Sequence, residues 1–245
     1  MGLGFNSYDN SANFGSFGKL KGVMHFPYRG GIRSGPTLHE LMHNWGNFFL
    51  DTGLYSHWNY TGFNSITSSG SKGQLGGYDS NTFRVDDGSM ANGGRFSADS
   101  FGNFANGGNG LPYNDVELYL MGMIDKANVG NLHIATNPVY HANPADPSRH
   151  YFTADKIEEK TFSQLMSDLS LPERVPSSAT SQKSFRVLTV LADSVVPTQA
   201  EIDDMHTAIT SFAYDGYDTS SSYNFYEATQ GIGSLKVDEI DLTEK

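Results

Sequence analysis

His39, Glu40 and His43 stand in the spacing H-E-x-x-H, inside the run Thr37-Leu38-His39-Glu40-Leu41-Met42-His43. On a helix, residues four apart share a face and lie roughly 6 Å from each other. Two imidazoles so placed can hold one Zn²⁺ and leave room for a third ligand and a water. Glu40 is then carried beside the metal, where a carboxylate can take a proton from that water. With 8 His in 245 residues, chance would produce this string about 0.01 times, so accident is a poor account of it. The plainer alternative is a solvated helix turn that happens to carry two histidines. Burying such a turn would be costly unless something bound them.

Two histidines do not complete a catalytic zinc site, which ordinarily takes three protein ligands. His57, in Tyr55-Ser56-His57-Trp58, is the next histidine along the chain. Glu117 on a second helix and Asp51 near the end of the motif helix are rivals for the third position. The chain has no cysteine, so a thiolate site and a disulfide framework are both excluded. Asp79, Asp86, Asp87 and Asp99, with Asn81, Asn92 and Asn103, offer the hard oxygens Ca²⁺ prefers. Their spacing matches no EF-hand loop, and solvated turns are the better reading.

The elements that must position these groups follow from local pattern. Ser34-Gly35-Pro36-Thr37 reads as a helix start, and Thr37 with Glu40 fits a capping box that would compete for the Glu40 side chain. Leu38, Leu41, Met42, Trp45, Phe48 and Phe49 would bury that helix, which is expected to run to about Asp51-Thr52-Gly53. Lys19 to Tyr28 alternates enough to be a strand, with a Gly30-Gly31 turn after it; His25 within it reads as structural. Residues 54–112 are rich in turn formers. Asp115 to Ile124 reads as a short buried helix, Lys156 to Leu169 as a helix and Phe185 to Leu191 as a buried strand. Pro197 to Phe212 reads as a helix capped by Thr198 and Glu201, with Ile202, Met205, Ile209 and Phe212 inward. Tyr223 to Ala228 fits a short strand or a helix turn. The whole predicts an α+β fold with an active-site helix, a small mixed sheet and a long loop-rich segment. It is read as one domain over 1–245, with a zinc-site half at 1–130 and an α+β half at 131–245.

Charge and hydropathy remove whole classes of function. A net charge of −11 and a pI near 5.0 argue against a nucleic-acid partner. No run reaches the roughly 18 apolar residues of a membrane span. Met1-Gly2-Leu3-Gly4 lacks a charged stretch followed by an apolar one, so no signal peptide is read there, and an upstream segment is expected to be missing. Nothing in the pattern specifies an oligomeric state.

Gly46 extends the motif to H-E-x-x-H-x-x-G, and in this form it resembles the metzincin clan of zinc peptidases. That glycine lets the metzincin chain turn sharply out of its helix. The third histidine usually follows three residues later, a position held here by Phe49. The resemblance, with an insertion, implies His57 as third ligand. Asp87-Gly88-Ser89-Met90-Ala91 resembles the turn that puts a Met under the metzincin zinc. The segments TLHELMHNWGNF, SHW, the Met90 turn, DVELYLMGMI and NFYEATQG also resemble a group of bacterial, exported zinc-peptidase-like domains. That likeness implies a secreted or periplasmic metalloendopeptidase acting on peptide or protein substrates. One catalytic Zn²⁺ would sit on His39, His43 and His57, with Glu40 as general base. It also implies that the strand before the helix receives the peptide as an added strand. Tyr113, Tyr119, Tyr140 and His141 are candidates for stabilising the oxyanion. Rival readings are a degenerate peptidase-like module that binds zinc or peptides, a non-peptidase zinc hydrolase, and a structural domain with an adventitious motif.

Overall fold

The computed structural model describes residues 20, 22–46, 50, 57–67, 72–98, 108–142 and 151–237. The chain is α+β, as its pattern implies, with three small sheets and six helices among those residues. Two short helices come first, α1 (Gly30–Ser34) and α2 (Thr37–Met42). Then come strands β1 (Gly62–Phe63), β2 (Tyr78–Asp79), β3 (Arg84–Ser89) and β4 (Gly93–Ser97). Helix α3 (Asp115–Met121) precedes β5 (Leu132–Thr136), β6 (Val139–His141), β7 (Tyr151–Ala154) and β8 (Lys156–Lys160). Helix α4 (Phe162–Asp168), β9 (Ser184–Val187), α5 (Gln199–Phe212), α6 (Phe225–Ala228) and β10 (Ser234–Val237) complete the order.

One sheet runs β2-β1-β5-β8, with β1 and β2 parallel and the other pairs antiparallel. A second, wholly antiparallel sheet runs β3-β4-β7-β6. Only Asp155 separates β7 from β8, so the chain steps there from one sheet to the other. Tyr78, Ala135 and Ile157 of the first sheet and Phe96, Phe152 and Ala154 of the second form one apolar cluster. The larger core surrounds α3, which is buried along its whole length. Asn114 caps α3 in a reciprocal box with Glu117, and Gly122 ends it in the left-handed region that glycine tolerates best. Strands β9 and β10 form a separate parallel pair. No helix of the described residues is long and apolar enough to cross a membrane.

Several local expectations are corrected. The described residues of 19–28 hold no strand; His25 is exposed, and α1 stands where a Gly30-Gly31 turn was expected. The motif helix stops at Met42 and continues as a turn over 43–45, well short of Asp51 to Gly53; Asp51 and Gly53 themselves, like Phe48 and Phe49, lie outside the described residues. Lys156 to Lys160 is a strand rather than the first half of a helix. Ile157 pairs with Ala135 and is buried, and that pairing overrides the helix preference of Lys and Glu. Thr161 then caps α4 through Gln164. The 185–191 strand is shorter than expected and only half-buried, with Leu188 and Val190 exposed beyond it. Helix α5 carries the expected Thr198–Glu201 box, and Ile209 and Phe212 are buried. Ile202 instead faces solvent, on the turn where Glu201 and Asp204 meet Arg29. The 223–228 stretch is a helix turn, capped by Asn224.

Candidate metal centre

Helix α2 has six residues, too few to be stable alone. It is held from outside. Asn109, fully buried, accepts from Leu38 N at 3.1 Å and donates to the carbonyls of Ile32 and Arg33 at 3.0 Å each. Tyr113 donates its hydroxyl to Leu38 O at 2.8 Å. Gly35, with φ of +108°, lies so close to Gly108 that a Cβ would meet its backbone. Leu38 and Met42 are buried, while Leu41 and Trp45 pack on the same core from its edge. The capping box expected between Thr37 and Glu40 does not form. Thr37 instead donates to Gly31 O at 2.7 Å and Ile32 O at 3.0 Å. Glu40 is therefore left exposed beside the histidines.

The structure brings His39, His43 and His57 together. One ligand atom from each lies within 4.8 Å of the others, and ring centroids are 4.7, 5.2 and 5.3 Å apart. His39 Nε2 and His43 Nε2 are 3.1 Å apart. Two nitrogens held about 2.0–2.1 Å from one tetrahedral ion would be roughly 3.3 Å apart, so this spacing suits a shared metal. His39 Nδ1 lies 2.8 Å from Gln74 O, a backbone carbonyl. A carbonyl can only accept, so Nδ1 carries a proton, and in the neutral ring that tautomer leaves the lone pair on Nε2. His57 Nε2 is buried with no hydrogen-bond partner among the described residues.

Electrostatics favour the neutral, ligating form of the other two rings. Burial lowers the pKa of His57 to about 4, helped by His39 and His43 alongside. Burial, then His39, lowers that of His43, while Glu40 opposes them. Among the described residues these three form the sole group of His, Asp and Glu able to hold a metal ion.

The remaining candidates have other work. Glu117 is fully buried and accepts four hydrogen bonds, from Trp58 Nε1 (2.9 Å), Leu75 N (2.8 Å), Gln74 N (3.0 Å) and Asn114 N (3.0 Å). Burial raises its pKa, while those donors pull it back. It stands outside the histidine group. Asp51 lies outside the described residues. Gly46 is not in a left-handed conformation; a Cβ there would come within 3.0 Å of Leu120 and Met42 and 3.3 Å of Trp58, so its role is close packing. Met90 sits in the β3–β4 turn and packs on the cluster between the sheets, apart from the core that receives Leu38 and Met42.

The oxyanion candidates are likewise engaged. Tyr113 is bound to Leu38 O, and Tyr119 accepts from Arg174 N at 3.0 Å. His141 pairs with Thr153 Oγ1 at 3.0 Å and stacks on Tyr151, next to Tyr140 on β6. Of the calcium candidates, Asp79 caps a single 3₁₀ turn through Asn81, Asp86 receives Ser97 Oγ, and Asp87 receives Gly88 N. Asp99 and Asn103 lie outside the described residues. What sequence reasoning missed was Gln74 and Asn109: a backbone acceptor leaves no side-chain signature, and Asn109 reads as another turn residue.

Comparison with family models, with curated proteins and with solved structures finds no match for this chain.

Proposed function

We propose that this chain is a zinc-dependent peptidase of metzincin-like type, with His39, His43 and His57 holding the metal and Glu40 acting as general base. The observation that carries this reading is the convergence of His57 on the H-E-x-x-H pair, with Glu40 exposed next to them. The donor set fits zinc: three imidazoles, two with a buried nitrogen that has no partner among the described residues and one oriented by a backbone carbonyl. Bound there, Zn²⁺ supplies Lewis acidity, polarising a carbonyl and lowering the pKa of water to about 7.

The chain's own residues do the rest. Gln74 O fixes the His39 tautomer. The Glu40 carboxylate, free of any capping role, accepts a proton from the attacking water and returns it to the leaving amine. A structural zinc would not need that carboxylate, which favours hydrolysis over a binding module.

Glu40→Gln is expected to keep bound zinc at wild-type stoichiometry while lowering peptide hydrolysis at least about 100-fold. Metal analysis beside a fluorogenic peptide-library assay, with and without chelator, measures both. Substantial activity in the variant removes Glu40 from the mechanism. A wild-type chain that binds zinc but cleaves nothing supports the module instead.

A further inference from the structure

Glu117 is costly to bury and stands outside the histidine group. Its four donors explain why it is tolerated; their addresses say what it does. Leu75 N belongs to the very peptide group whose carbonyl, Gln74 O, receives the His39 Nδ1 proton, and Gln74 N to the peptide group before it. Trp58 Nε1 belongs to the residue after His57, and Trp58 N also donates to Leu75 O at 2.9 Å. One carboxylate thus pins the segment that orients His39 and the segment that carries His57. The approach is close enough that a Cβ on Gly73 would run into the Glu117 carboxylate.

We propose that Glu117 is a positioning residue of the metal centre, setting the orientation of His39 and the placement of His57 through Gln74, Leu75 and Trp58. This rests on reading the three histidines as a metal site. It touches neither metal nor substrate. The fold contains its own control. Glu227 occupies the same position in the same kind of capping box, Asn224 to Glu227 on α6, is buried, and accepts from Asp218 N at 2.9 Å and Asn224 N at 3.0 Å. Among the described residues, neither of these donors leads to a histidine.

The test titrates Co²⁺, which accepts the same nitrogen donors and reports coordination through its visible spectrum, into the 245-residue chain against a competing chelator. Glu117→Gln keeps the shape of the side chain but exchanges an acceptor oxygen for a donor nitrogen. It is expected to weaken Co²⁺ binding roughly 10–100-fold and to change the spectrum, as loss of an outer-shell partner does. Glu227→Gln should lower stability while leaving Co²⁺ affinity within about twofold and the spectrum unchanged. Equal effects of the two variants, or a folded Glu117→Gln chain with wild-type affinity and spectrum, overturn the proposal. If Glu117→Gln does not fold, Trp58→Phe decides: it removes one donor and is expected to cost at least about threefold in affinity. Wild-type affinity and spectrum in that variant overturn the proposal. A wild-type chain that binds no Co²⁺ fails earlier, on the metal site itself.

Discussion

His57 Nε2 is a polar atom taken out of water and given no partner among the described residues. Leaving such an atom unpaired costs on the order of 1–3 kcal/mol, which a metal bond would remove. His57→Ala is therefore expected to weaken zinc binding by more than the roughly 10–100-fold that loss of an outer-shell partner costs. Competition with a chromophoric chelator measures this. An unchanged affinity would leave His39 and His43 in need of another third ligand. The same variant should be no less stable than wild type without metal, since it deletes an unsatisfied group. At this scale the sequence was informative because imidazoles declare themselves by type. It left His57, Glu117 and Asp51 open, because which side chain reaches a site depends on segments remote in the chain.

Helix α2 shows why element boundaries were harder to read than element identities. Its apolar residues predicted a long helix, yet it ends at Met42, and its stability is supplied from Asn109 and Tyr113, 71 and 75 residues away from Leu38. Local pattern cannot register contacts of that range. Capping boxes are local, so Thr198–Glu201 was legible in the sequence and formed, while Thr37–Glu40 looked equally good and lost to the carbonyls of Gly31 and Ile32. The contrast is testable. Tyr113→Phe leaves Leu38 O without its donor and is expected to cost about 1–3 kcal/mol. Thr198→Ala on exposed α5 is expected to cost about 1 kcal/mol. Denaturant unfolding should show both losses, but only Tyr113→Phe should also weaken metal binding, because only Leu38 adjoins a ligand. Equal metal affinity in the two would show that α2 holds its histidines without that anchor.

Across the whole molecule, the class was legible and the sheet order was not. Strand β8 reads as helix until it is paired with β5, and the step from one sheet to another at Asp155 has no sequence signal. The candidate metal centre draws together parts of the chain that local elements cannot: His39 and His43 from α2, His57 beyond it, Gln74 before β2 and Glu117 on α3. A ligand that binds only this assembled arrangement must stabilise the fold. At free Zn²⁺ near 100 times its dissociation constant the gain is about 2.7 kcal/mol. For a domain of this length each kcal/mol raises Tm by roughly 2–4 °C, so zinc should raise it by about 5–11 °C. Binding of zinc to histidines of the unfolded chain would reduce that figure. Calorimetry with buffered zinc, then with chelator, measures the shift and its reversal, and His57→Ala supplies the comparison. A shift of the same size in that variant would mean that zinc acts elsewhere on the chain. No shift in wild type at saturating zinc would mean that the ion binds folded and unfolded chains alike, which three converging imidazoles should not allow.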